Sequence, residues 1–132
     1  MNGTYTEKLK TGGEVQVMQN RWGIRYYFPG PDLRYNGTHV YLNGDEIEDY
    51  IEAWAKNYDD YLKLKETIPS GGTFQTKGLM DMTIHVGGHH DGVCIRDYYM
   101  PIRSKEKVDE VIKDYRYAQS CADRMMKMLN QN

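Results

Sequence analysis

Apolar and polar residues alternate in short runs through the first third of the chain. In GEVQVMQN (Gly13 to Asn20), Val15 and Val17 are separated by polar neighbours, a period of two that predicts a half-buried strand. Asn20-Arg21-Trp22-Gly23 reads as a turn, and IRYYF (Ile24 to Phe28) returns as a second strand. Pro29-Gly30-Pro31-Asp32 ends it, because two prolines cannot continue a ladder. Leu33 to Leu42 then reads as a short strand, a turn at Asn36-Gly37 and a further strand through Val40 and Leu42. Residues 1 to 12 are either a ragged, flexible start or a short edge strand.

The period changes after Asn43-Gly44-Asp45, which can cap a helix. Ile47, Ile51, Trp54, Tyr58, Tyr61 and Leu62 recur at helical spacing, so a helix is predicted over residues 45 to 66 with one apolar face. Pro69-Ser70-Gly71-Gly72 breaks it, and Thr73 to Thr76 begins a strand. Alternation resumes at Met82, Ile84 and Val86 and again at Val93 and Ile95, with Gly87-Gly88-His89-His90-Asp91-Gly92 between them as a reversal. Ser104 stands as N-cap for a last helix over 105 to 129. Its stripe is Val108, Val111, Ile112, Tyr115, Ala118, Ala122, Met125 and Leu129, with Cys121 beside it. The order β-β-β(β)-α-β-β-α implies an α+β fold, an antiparallel sheet of β-hairpins packed against two amphipathic helices.

The reversal at 87–92 concentrates the candidate chemistry. His85, His89, His90 and Cys94 all fall within it or on its flanks. A loop symmetric about His89 and His90 would set Val86 against Val93, Ile84 against Ile95, and His85 across from Cys94 with Cβ atoms roughly 4.5–5.5 Å apart. An imidazole nitrogen and a thiolate at that separation can share one tetrahedral Zn²⁺, at about 2.0–2.1 and 2.3 Å. His89 or His90 would be a third ligand, and Cys121 or an acidic side chain a fourth. Mixed nitrogen and sulfur donors favour zinc, and a structural zinc would tie this hairpin to the last helix and add to folding free energy. The plainer account of the same residues is a solvated histidine turn and a small buried thiol. No CxxC or HExxH spacing occurs.

Length and charge narrow the function classes. A chain of 132 residues is expected to form a single domain, 1–132, with a core of its own. A formal net charge of -2 argues against a general nucleic-acid or membrane binder. Two cysteines make no disulfide framework, which points to a reducing compartment such as the bacterial cytosol. The start MNGTYTEKLKTGG lacks the apolar run of a signal peptide. Twelve tyrosines against two phenylalanines supply apolar area with a polar handle, suited to interfaces. Asp45, Glu46, Glu48, Asp49 and Glu52 crowd the start of the first helix, where acids complement the helix dipole. The same five carboxylates are the candidate partner-binding surface, an acidic patch for a basic protein.

Histidines on a hairpin followed by a helix resemble the ββα-metal nucleases, in which a strand histidine activates water and a metal holds the scissile phosphate. The last helix departs from that pattern: it has no histidine, and Asn130 and Asn132 stand only at its frayed end. A zinc-dependent hydrolase would also need a base such as Asp91 or Asp97 beside an open coordination position. Pairing Cys94 with His85 as nucleophile and base leaves no third, orienting group in view. No catalytic residue is therefore assigned, and a non-catalytic binding protein is expected. Its features are the tyrosines, the acidic helix start and the aromatic segment RYYFPGPDLRY (Arg25 to Tyr35). In size, charge and lack of any housekeeping signature the chain resembles the phage-encoded anti-CRISPR proteins, some of which act on the type II Cas nuclease and include a zinc-containing member. That resemblance implies a stoichiometric inhibitor that occupies a Cas nuclease and blocks guide or target loading. A sponge for a defence signalling nucleotide is a further alternative.

Overall fold

Alternation in the first third of the chain produces a meander in the computed structural model, which describes residues 3–30 and 37–131. Strands β1 (Tyr5–Lys8), β2 (Glu14–Val17), β3 (Trp22–Phe28) and β4 (Thr38–Asn43) lie in sequence order as one antiparallel sheet. The short strand expected from Leu33 and Asn36 of its turn lie outside the described residues. The edge-strand reading of the start holds, since Tyr5 faces Val17 and Lys8 faces Glu14. Val15 opposes Ile24, which opposes Leu42, and Tyr26 opposes Val40. All of these side chains are buried, so period two puts one face of the sheet in the core. Arg25, Tyr27, His39 and Tyr41 alternate with them on the other face.

The helical periods also form. A single 3₁₀ turn over Gly44–Glu46 leads into α1 (Ile47–Thr67), while Asn43 makes no side-chain capping bond. Tyr50, Ile51, Trp54, Tyr58 and Tyr61 are buried, as their spacing requires, but Leu62 of the expected stripe is exposed. It sits one residue, about 100°, beyond Tyr61 on the helix surface. Helix α2 (Lys105–Leu129) has the expected bounds, and Ser104 caps it by accepting the Lys107 N–H at 3.2 Å. Between the helices, β5 (Phe74–Lys77), β6 (Thr83–Val86) and β7 (Gly92–Cys94) form a second antiparallel sheet in that order. The molecule is thus α+β, with the element order read from the sequence.

The chain divides into two compact units, one of Met1–Ile47 with Lys113–Asn132 and one of Glu48–Ile112. In the first, the later part of α2 meets the sheet through polar as well as apolar groups. The buried hydroxyls of Tyr26 and Tyr115 are 2.8 Å apart, and Asp114 accepts both the backbone N–H (2.7 Å) and the hydroxyl (2.5 Å) of Thr11. In the second, Asn57 on α1 accepts the Leu79 N–H at 2.9 Å and donates to the Leu79 carbonyl at 3.1 Å. That clamp holds the 3₁₀ turn Leu79–Asp81, where Met80 (φ 56°) and Asp81 (φ 57°) are left-handed. No helix among the described residues is long and apolar enough to cross a membrane.

Candidate binding surface on the second sheet

The hairpin of β6 and β7 forms, but two residues out of the expected register. Ile84 opposes Val93, His85 opposes Gly92 and Thr83 opposes Cys94, while Val86 pairs with Phe74 on β5 instead of with Val93. The pairing of His85 with Cys94, and of Ile84 with Ile95, is therefore corrected. The cause is an asymmetric loop. Asp91 folds back so that its Oδ1 accepts the Gly87 N–H at 2.8 Å, and Gly87 and Gly88 take left-handed angles of 79° and 78°. At the other end, Gly92 has a φ of 132°, and a Cβ there would lie 2.6 Å from the Ile102 carbonyl oxygen. Only glycine fits that position, and a strand anchored there cannot slide. A slip of two leaves the sheet faces unchanged, which is why the burial pattern gave no warning of it.

The candidate ligands consequently have other partners. His85, half-buried, bonds through Nε2 to the Asp97 carbonyl at 2.6 Å, and Asp97 is left-handed (φ 51°) in the tight turn that returns Tyr99 to Ile95. Cys94 is fully buried, its thiol 3.8 Å from the His90 carbonyl oxygen, and burial pushes it up to about 12. A thiol held protonated is a poor nucleophile and must lose its proton to bind a metal. His89 and His90 stand exposed at the loop. Cys121 belongs to the other unit, buried on α2, where its thiol contacts Glu7 Oε1 at 3.8 Å and accepts from Arg124 at 3.5 Å. Among the described residues, no three His, Cys, Asp or Glu side chains come together as a metal-holding group.

What the hairpin does assemble is a row of rings. His85 and His90 have centroids 6.1 Å apart, His90 and Tyr98 5.2 Å, and Tyr98 and Tyr99 4.7 Å, all tilted. Tyr98 and Phe74 leave about half of their surface in solvent. Asp91 ties this row to α1, because its second oxygen accepts the Tyr61 hydroxyl at 2.8 Å. Burial first, then that bond, raises the Tyr61 phenol above its ordinary value. Asp91 entered the sequence reading only as a conceivable base; its side chain is instead the pin of the loop. Two clefts flank Gly87 and Gly88. One, of about 420 Å³, has Lys65 and Arg103 among its walls; the other, of about 240 Å³, has Phe74, His85, His89 and His90. Phe74 and Lys65 carried no signal of a site in the sequence, since neither stands in a motif.

The five candidate partner-binding acids are exposed on their elements: Asp45 and Glu46 on the 3₁₀ turn, Glu48, Asp49 and Glu52 on the first turns of α1. Asp60, farther along α1, is taken by Lys56 at 2.6 Å. No protein family, curated protein or solved structure matches the chain. Fold and surface together describe an α+β protein whose second unit carries an exposed ring-lined hairpin and an acidic helix start.

Proposed function

We propose that the protein is a non-catalytic inhibitor that binds a bacterial type II CRISPR Cas nuclease and keeps nucleic acid from its basic channel. The observation that supports binding is the exposed acidic side of α1, Glu48, Asp49 and Glu52, backed by a buried face that fixes it. Carboxylates on a rigid element compete with phosphates for a basic channel, with an association rate that falls as salt rises. The choice of partner rests on the general resemblance to anti-CRISPR proteins. A structural zinc, where present, would have to draw His85 from the Asp97 carbonyl and Cys94 from that of His90.

Mixing the purified chain with a Cas9–guide complex tests the reading. Co-elution and reduced cleavage of target DNA are expected. Reversing the three acids together (Glu48→Lys, Asp49→Lys, Glu52→Lys) should weaken inhibition at least about tenfold while the chain still folds, its melting temperature lowered by the loss of helix-dipole stabilisation, about 0.3–1 kcal/mol for each acid in the first turn. Absence of both binding and inhibition by the unaltered chain defeats the proposal.

A further inference from the structure

Strand β5 ends the second sheet, and among the described residues no strand lies beyond it. The opposite edge is closed, because Val93 on β7 exchanges both backbone hydrogen bonds with Ile102, each at 2.8 Å. At β5 the core is also unfinished. Phe74 pairs with Val86 and Thr76 with Ile84, so both lie on the face that is buried at β6, yet Phe74 is 43% exposed. Of the strands that end a sheet, β1, β4, β5 and β7, β5 alone leaves a large apolar side chain exposed among the described residues. An apolar residue on the inner face of an edge strand is covered once a further strand is added.

The backbone shows which groups that strand would meet. Gly78, still extended (φ −103°, ψ −157°), donates its N–H to the Met82 carbonyl at 2.8 Å, in step with the β5–β6 register. Antiparallel bonding alternates, so Phe74 and Thr76 also direct their N–H and C=O groups at β6, and Gln75 and Lys77 direct theirs at the open edge. Two copies related by a two-fold axis normal to the sheet keep their inner faces on the same side. An axis at Lys77 would oppose two ammonium groups, and one at Thr76 would set Phe74 against Gly78 and leave the ring bare. An axis at Gln75 avoids both.

We propose that β5 is the docking edge for a second copy of this chain, the two strands pairing antiparallel about an axis through Gln75. Gln75 bonds to its own counterpart and Lys77 to Thr73 of the other copy. Phe74 lies against Thr76 of the other copy in the closely spaced pair between them, an aromatic ring on a β-branched side chain. The two three-stranded sheets become one of six strands. Four residues a side bury little area, so association is weak and reversible. It uses none of the acids of the inhibitor reading and stands or falls independently of it.

Sedimentation velocity on the full chain from about 10 μM to 1 mM tests this. The mean mass should rise from that of one chain toward that of two. Gln75→Pro removes an N–H that no bond within the sheet uses, so it should abolish the rise and leave the melting temperature nearly unchanged. Gln75→Lys and Gln75→Glu each set like charges on the axis and should each weaken association about fivefold or more; mixed in equal amounts, they should restore it. The proposal is overturned if the chain stays a monomer, which leaves the edge to a strand from a different protein. It is equally overturned if Gln75→Pro still dimerises, or if the mixed charge variants associate no better than either alone.

Discussion

Glu7 shows how much one carboxylate can gather in this fold. It lies on edge strand β1, half-buried, and accepts hydroxyls from Tyr117 at 2.6 Å and from Tyr5, with the Cys121 thiol at 3.8 Å. The Tyr117 bond first, then that of Tyr5, holds its carboxyl below the usual range, and Glu7 in turn raises both phenols. A carboxyl depressed in the folded state adds stability above its unfolded value, and that stability is lost as pH falls through the folded value. Glu7→Gln should therefore lower the melting temperature near neutrality, flatten the acid side of its profile, and converge with the unaltered protein below about pH 3. An unaltered acid slope would show that the cluster contributes nothing. Nothing in YTEK marks Glu7 out, because Tyr117 and Cys121 stand more than a hundred positions away.

At the level of elements, the periods were sound guides and the loops were not. β2, β4, α1 and α2 appear where alternation or helical spacing put them, since burial of one face selects the period directly, whereas β3 begins two residues early and takes Trp22 and Gly23 from the expected turn, pairing them with Val17 and Gln16. Register follows instead from loop chemistry, here the Asp91 side chain and the steric demand at Gly92, which hydrophobic spacing does not encode. The turn after β5 depends in the same way on a distant residue. Asn57 is fully buried and holds Leu79 by both backbone groups, and a Cβ at Gly78 would lie 2.3 Å from its Oδ1. Asn57→Ala should cost about 2 kcal/mol in denaturant unfolding, since it leaves the Leu79 N–H at the start of a left-handed turn without its partner, while the Leu79 carbonyl keeps only the Met82 N–H at 3.2 Å. A loss below about 0.5 kcal/mol, the ordinary scale of surface substitutions, would mean the turn holds itself.

For the molecule as a whole, the question left by its histidines and cysteines is whether an ion adds to stability. His85 and Cys94 are already engaged by backbone carbonyls, and Cys121 by Glu7 and Arg124. With those bonds kept, stripping the purified protein with a chelator should leave its melting temperature unchanged and elemental analysis should find no stoichiometric zinc. A fall of several degrees on chelation would support the zinc staple, because binding to the folded state alone stabilises it. The sequence by itself determined the α+β class, the order of strands and helices, the buried faces and the cap at Ser104. These follow from short-range periodicity and local hydrogen bonding, written within a few residues of one another. Only the tertiary structure decided that His85 turns to Asp97, that Asp91 pins its loop to α1, and that Phe74, Lys65 and Arg103 line adjoining clefts. Each depends on backbone torsions and on partners brought from elsewhere in the chain, and neither is carried by the hydrophobic pattern.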